Sequence, residues 1–267
     1  MEYSTQRYQE LSENLKAIQR KIAEAATDLS GVRTTDSPQP KLTVVTKFFP
    51  ASDVAALYDA GVRRVGENRD QEAASKAQEL TEHVAGREPL RWSYIGQLQT
   101  NKAKSVVKYA ADVHSVDRAS LVKALGKAYA NQLARFEAGE AQAPAAYELG
   151  GLQCLIQVNL DDDVAPGHAA QGARGGASEE EVLALAELLE NTEGLSCGGV
   201  MAVAPLGADA DQAFEKLYGI SQKLQADYPH AREISAGMSG DLAAAIRWGS
   251  TNVRVGSQIM GSRPLVN

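Results

Sequence analysis

Lys47 closes a short apolar run, Leu42-Thr43-Val44-Val45-Thr46-Lys47, and is followed by Phe48-Phe49-Pro50. Valine and threonine are β-branched and Pro50 stops a central strand, so the run reads as a buried strand with a lysine at its C-terminal end. An ammonium is costly to desolvate. It either reaches water or a carboxylate, or it gives up its proton, and a neutral amine in an apolar setting forms a Schiff base with a carbonyl. Two later stretches carry anion-cradling residue types: Gly237-Met238-Ser239-Gly240-Asp241 and Val255-Gly256-Ser257. Glycines let the backbone approach a phosphate, and Ser239, expected at a helix start, adds a hydroxyl beside outward-pointing N–H groups. Taken singly, each stretch is also ordinary turn and cap chemistry. Arg254 lies between Val253 and Val255 and so points away from them. If it faces a core it needs an acceptor, either a carboxylate or a pyridine nitrogen; a protonated arginine would keep such a nitrogen unprotonated and weaken it as an electron sink.

These groups can meet only if the chain brings strand ends together. From Leu42 onward, strand-like segments at 42–46, 62–65, 91–95, 112–116, 152–158, 195–202, 233–235 and 252–255 alternate with helical ones at 51–60, 68–80, 101–109, 118–136, 178–190, 209–227 and 240–248. Ser52 or Asp53, Asp117, Ser178 with Glu181, and Asp209 or Asp211 are candidate helix caps. About eight strands separated by helices require parallel crossovers, and the closed solution is a (β/α)₈ TIM-type barrel. An open doubly wound sheet is the alternative, but it would put a glycine-rich turn after the first strand, where this chain has Phe-Phe-Pro. In the barrel all strand C-termini open into one mouth, and phosphate commonly sits on the loops after strands seven and eight. Lys47, Ser239 and Gly256 all fall there.

Ahead of the barrel, Tyr8, Leu11, Leu15, Ile18, Ile22, Ala25 and Leu29 recur at steps of three and four, predicting a helix packed on the domain, with a coiled-coil seam as the alternative. The organisation expected is one domain, 1–267, with an N-terminal helix within 1–30 and the barrel over 42–263. The segments Ala138–Gly151 and Asp161–Ala177 read as flexible loops. A net charge of −7 argues against a nucleic-acid-binding face. No apolar stretch is long enough for a membrane span, and the polar N-terminus lacks a secretory core. Cys154 and Cys197 fall in strands and read as buried thiols in a reducing cytoplasm; the four histidines show no metal-ligand spacing.

The segments Val44-Val45-Thr46-Lys47, Val65-Gly66-Glu67-Asn68, Ile95-Gly96-Gln97-Leu98-Gln99-Thr100-Asn101-Lys102, Gln157-Val158-Asn159, Gly199-Val200-Met201-Ala202, Gly237-Met238-Ser239-Gly240-Asp241 and Gly249-Ser250-Thr251-Asn252-Val253-Arg254-Val255-Gly256 together resemble the pyridoxal phosphate homeostasis proteins. The resemblance runs from Leu42 to Arg263. It implies a barrel similar to the N-terminal domain of alanine racemases, with pyridoxal 5′-phosphate (PLP) as cofactor. It further implies Lys47 as the Schiff-base lysine and Arg254 facing the pyridine nitrogen. Ser239, Gly256 and Ser257 would hold the phosphate, Asn68 would lie beside the cofactor, and Met201 and Met238 would line the pocket. Two positions depart from the family pattern. Many members carry a second lysine where this chain has Phe49, and a histidine where it has Ser93.

Three functions follow. The first is a non-catalytic PLP carrier in vitamin B6 homeostasis, releasing the cofactor to apo PLP-dependent enzymes or free amines and acting as a monomer. The second is a racemase-like enzyme. Racemisation needs proton-transfer groups on both faces of the imine, and alanine racemases bring a tyrosine from a second β-domain. Only twelve residues follow Val255, so that domain is expected to be missing. The third is a barrel aldolase for a phosphorylated sugar with Lys47 as its Schiff-base lysine; the remaining motifs disfavour it.

Overall fold

Parallel pairing of each strand with its successor, and of the last with the first, closes the sheet of this computed structural model, which describes residues 1–161 and 175–263. In chain order the elements are α1 (Thr5–Ala25), β1 (Lys41–Val45), α2 (Ala51–Asp59), β2 (Arg64–Glu67), α3 (Asp70–Glu79), α4 (Thr81–Val84), β3 (Arg91–Tyr94), α5 (Ala103–Val106), β4 (Ala110–Val116) and α6 (Ala119–Glu137). There follow β5 (Leu152–Gln157), α7 (Glu179–Glu190), β6 (Leu195–Met201), α8 (Ala210–Asp227), β7 (Glu233–Ser235), α9 (Leu242–Arg247), β8 (Asn252–Val255) and α10 (Ser257–Met260). This is a (β/α)₈ TIM-type barrel with an extra N-terminal helix.

Strand alternation sorts the barrel into two environments. Val44, Val65, Val113, Val200, Ile234 and Val253 join the hydrophobic cluster shared with the helices. Their neighbours Thr43, Asp112, His114, Glu233, Ser235, Asn252 and Arg254 are buried and polar. TIM-barrel interiors are usually filled by branched apolar residues; here they are filled by hydrogen-bonded polar ones. Thr43 Oγ1 donates to Asn252 Oδ1 at 2.8 Å, and Asn252 Nδ2 donates to Glu233 Oε1 at 2.9 Å. Burying such groups is tolerated because they satisfy one another.

α1 packs through Leu11, Leu15, Ile18 and Ile22 against α2, α9 and α10. The packed-helix expectation holds, except that Leu29 lies beyond the helix and is half-exposed. The polar face also bonds the barrel: Arg7 Nη2 donates to Asp53 Oδ2 at 2.7 Å and to the Met260 carbonyl at 2.9 Å, and Asn14 Nδ2 donates to the Ile259 carbonyl at 3.0 Å. Cys154 and Cys197 are buried, unpaired thiols whose pKa values burial raises.

Several boundaries differ from expectation for identifiable reasons. Val62 belongs to the turn after α2, its N–H bonded to the Leu57 carbonyl behind left-handed Gly61, so β2 starts at Arg64 and takes in Gly66 and Glu67. The 68–80 helix becomes α3 plus α4, and 101–109 becomes a 3₁₀ turn, Thr100–Lys102, followed by α5. Neither Ser52 nor Asp53 caps α2: Pro50 holds that position, both residues lie inside the helix, and Asp53 pairs with Arg7. Asp117 does not cap α6, since it pairs with Arg118. The Ser178–Glu181 capping box and the Asp209 cap form as expected. The 138–151 segment is anchored: Ala146 is buried, Gln132 Nε2 donates to the Gln142 carbonyl at 2.7 Å, and the Ala145 N–H donates to the Val107 carbonyl at 3.1 Å. Most of the Asp161–Ala177 loop lies outside the described residues.

Candidate functional site

Lys47 emerges half-buried just past β1, at the rim where the strand C-termini converge. It opens into a cavity of about 340 Å³ lined by Lys47, Met238, Ser239, Arg254, Gly256 and Ser257, with Phe48 and Arg263 at its edge. That volume suits a small cofactor. Six of the eight predicted residues therefore share one cavity. Asn68 lines a neighbouring polar groove of about 480 Å³ together with Tyr94 and Gln97. Its buried Oδ1 has no hydrogen-bond partner among the described residues. Close approach of Gly96, whose added Cβ would collide with the Asn68 carbonyl, fixes that turn against β3. Met201 is buried at the end of β6, paired in register with Ser235, and is not brought to the cavity wall.

Ser239 does not start a helix. Asp241 takes the cap position of α9, and its Oδ1 accepts the Met238 N–H at 2.6 Å, folding 238–241 into a turn. The Ser239 hydroxyl thus lies in a tight loop behind Gly237, whose φ of +91° suits only glycine. Across from it, Gly256 packs on Val45, where an added Cβ would approach to 3.3 Å. The Gly256 carbonyl accepts the N–H groups of Ile259 and Met260, leaving the first N–H groups of α10 to face outward.

Arg254 is fully enclosed, yet among the described residues no carboxylate hydrogen-bonds or ion-pairs with it. Its Nη1 donates to the Ser235 carbonyl and Oγ, both at 2.6 Å, and Nη2 donates to the Ala202 carbonyl at 2.8 Å. Burial lowers its pKa to about 10 against the opposing pull of Asp241, so the guanidinium stays charged at neutral pH. Ser235 Oγ lies 3.0 Å from His114 Nδ1, His114 Nε2 lies 2.8 Å from Asp112 Oδ1, and Arg64 Nη1 donates to Asp112 Oδ2 at 2.5 Å. A line of close polar contacts therefore runs across the barrel from Arg254 through Ser235 and His114 to Asp112.

Burial opposes ionisation of Asp112, but His114 and Arg64 prevail and bring its pKa from 3.8 to about 2. A carboxyl lowered on folding stabilises above its unfolded pKa, and that stability is lost as pH falls through the folded value. Asp112 should therefore contribute on the order of 2 kcal/mol at neutral pH, lost between about pH 4 and pH 2. Denaturant titrations across that window should show a shallower acid limb for Asp112→Asn than for the parent.

The backbone around Lys47 is held by a second buried cluster. Lys76, 4% exposed, donates from Nζ to the Thr46 carbonyl at 2.9 Å, Glu67 Oε1 at 2.8 Å and Glu72 Oε1 at 2.7 Å. Thr46 Oγ1 donates to Glu67 Oε1 at 2.7 Å, and the Phe48 N–H donates to Glu72 Oε1 at 2.6 Å. These bonds bracket Lys47 on both sides. They also hold Phe48 at φ +72°, a left-handed conformation that costs a bulky residue energy. The Lys47 pKa is lowered, first by burial and then by the Arg263 and Arg69 charges, with Glu67 and Glu72 opposing. Burial raises the pKa of Glu67 against the pull of Lys76. A neutral, nucleophilic amine is what this environment favours.

Sequence reasoning missed Lys76, Glu72, His114 and Asp112. Glu72 and Lys76 stand in i,i+4 relation on one helix, and Asp112 and His114 alternate along one strand, so both pairs leave a periodic trace. Neither trace says that the groups turn inward.

The family model for the alanine racemase N-terminal domain matches residues 8–264. A pyridoxal phosphate homeostasis protein of Mycobacterium tuberculosis (strain ATCC 25618 / H37Rv) is 38% identical, with 97% of this chain and 95% of that protein covered. Another, from Corynebacterium glutamicum, is 40% identical over 84% of this chain and 91% of that protein. The structure of PipY of Synechococcus elongatus PCC7942 with PLP bound superposes with a TM-score of 0.70 at 28% identity, covering 94% of this chain and all of that one. Alanine racemase from Corynebacterium glutamicum shares the fold, with a TM-score of 0.58 at 14% identity over 97% of this chain and 62% of that one. Motif order, barrel and relatives agree: the chain belongs to the pyridoxal phosphate homeostasis protein family.

Proposed function

We infer that this chain binds PLP and serves in its homeostasis, holding it reversibly through a Schiff base on Lys47. The observation that carries this is the shared cavity: a half-buried lysine with a lowered pKa faces two anion-cradling turns and a buried arginine that has no carboxylate partner among the described residues. When bound, the cofactor supplies an aldehyde carbon for amine attack. Ser239, Gly256 and Ser257 hold its phosphate, Arg254 donates toward its pyridine nitrogen, and Met238 covers its ring. Asn68 would stand beside it from the neighbouring groove, whereas Met201, buried at the end of β6, is not brought to the cavity wall. Arg254 keeps the pyridine nitrogen unprotonated, which weakens electron withdrawal and favours holding over bond-breaking chemistry.

A carrier rather than a racemase-like enzyme is the better account. Among the described lining residues there is no tyrosine, histidine or carboxylate to stand opposite Lys47 as a second proton-transfer group. The relatives are likewise named for homeostasis. We place the protein in the cytoplasm, consistent with its two unpaired thiols, as a monomer that passes cofactor to apo PLP-dependent enzymes or free amines. Among the described residues, no helix is long and apolar enough to cross a membrane.

Borohydride reduction followed by peptide mass spectrometry tests the assignment. The phosphopyridoxyl mass should appear on the peptide containing Lys47; its appearance elsewhere would reject it. Ser239→Ala should weaken PLP binding by about 1–3 kcal/mol, because a charge-assisted hydrogen bond is lost and a phosphate oxygen left unpaired. Unchanged affinity in a spectral titration would remove Ser239 from the cradle.

A further inference from the structure

Three basic side chains converge on one aromatic ring at the cavity rim. The Arg263 Cζ lies 4.5 Å from the Phe48 ring centroid, the Arg69 Cζ 5.2 Å and the Lys47 Nζ 5.8 Å. Both guanidiniums are exposed, and among the described residues neither is hydrogen-bonded to or ion-paired with a carboxylate. The nearest acidic groups are already engaged: Glu72 Oε1 takes the Phe48 N–H and Lys76, and Glu67 Oε1 takes Thr46 and Lys76. Like charges gathered without a counter-charge raise the local potential and attract an anion. Phe48 is also the described non-glycine residue with positive φ, so a backbone that the Glu72 bond holds under strain sets its ring within reach of both arginines.

The phosphate cradle does not account for all of this charge. Arg263 lines the same cavity as Ser239 and Gly256, but Arg69 lines the separate groove of Asn68 and Tyr94, and its guanidinium comes to the cavity edge at the Phe48 ring. A ligand joined to the cofactor carbon beside Lys47 would lie on this rim. Exchange of amines there forms one carbon–nitrogen bond as the bond to Lys47 breaks, returning Lys47 as an amine with no redox change. We propose that Arg69 and Arg263, set about Phe48, form a carboxylate-binding rim, so that the amines this protein trades against Lys47 are amino acids rather than simple amines. The proposal rests on the cofactor assignment above and adds the class of acceptor. A guanidinium pair is suited to the task, because each presents a planar fork of donors matched to a carboxylate.

Two reduced adducts that differ only in the carboxylate separate the outcomes: N-(5′-phosphopyridoxyl)-L-alanine and N-(5′-phosphopyridoxyl)ethylamine. Neither can react with Lys47, so calorimetric titration of the cofactor-free protein reads binding alone. The alanine adduct should bind roughly tenfold or more tightly than the ethylamine adduct, the effect of one or two charge-assisted hydrogen bonds at an exposed rim. In the Arg69→Gln/Arg263→Gln variant the two should bind alike, at the affinity the parent shows for the ethylamine adduct. Equal affinities in the parent, or a preference that survives in the variant, would overturn the proposal. Equal weakening of both adducts in the variant would also overturn it, by assigning the arginines to the phosphate. Binding of neither adduct by the parent would instead reject the cofactor reading itself.

Discussion

Lys47→Ala is expected to leave the protein without imine absorbance at any PLP concentration. Among the described residues no other lysine lines the cavity, and Lys76, buried nearby, is saturated by Glu67, Glu72 and the Thr46 carbonyl. The substitution removes an amine at a half-buried strand end and leaves the backbone bonds of Thr46 and Phe48 in place, so the barrel should stay folded. The phosphate cradle and Arg254 also remain. The variant should therefore still bind PLP, but weakly and with the spectrum of the free aldehyde. A spectral titration with a far-ultraviolet check of folding reads both. Retained imine absorbance would show that another amine carries the cofactor and would end the Lys47 assignment.

Lys76→Met should destabilise the fold by about 3–5 kcal/mol, the range for breaking a buried ion pair from one side. Glu67 is nearly inaccessible and Glu72 is only partly exposed, so removing the shared cation leaves two carboxylates facing each other in a desolvated pocket. Protonation offers the only relief, and Glu67 is already displaced toward it. The loss should accordingly shrink as pH falls toward the carboxylate range and grow above it. Chemical denaturation at several pH values measures this, and a loss below about 1 kcal/mol at neutral pH would contradict the one-sided ion-pair account. The same variant frees Phe48 to leave φ +72°, so it should also weaken the cofactor through a residue that never touches it.

The parts of this molecule visible in the sequence are those written in periodicity or in punctuation. The alternation of β-branched runs with amphipathic stretches foretold the closed barrel, and the steps of three and four from Tyr8 foretold α1. Lys47 was conspicuous because an ammonium at the end of an apolar run conflicts with its surroundings. Ser239 and Gly256 were conspicuous because they repeat one device on adjacent strands. What stayed hidden depends on which way groups turn in three dimensions. Asp53 looks like a cap residue, and only the arrival of Arg7 from 46 positions earlier diverts it. Asp112 and His114 share a strand face, but the sequence does not say whether that face is lined with water, helix or barrel interior. Phe48 gives no local hint of a left-handed backbone, since phenylalanine has no preference for it; the reason lies in Glu72, 24 residues away.

One consequence of the N-terminal helix extends past its packing. α2 follows β1 and α9 precedes β8, so a helix resting on α2, α9 and α10 lies over the seam where the first and last strands meet. Through Arg7 and Asn14 it also stitches the chain's beginning to the turn that supports Gly256 and Ser257. The cylinder cannot close until strands some two hundred residues apart find each other, which makes closure a late and slow event in folding. α1 acts as a latch on that event: whatever loosens it unfastens the two segments that carry Lys47 and the anion turn, and the grip on a small charged guest is governed from the far end of the polypeptide.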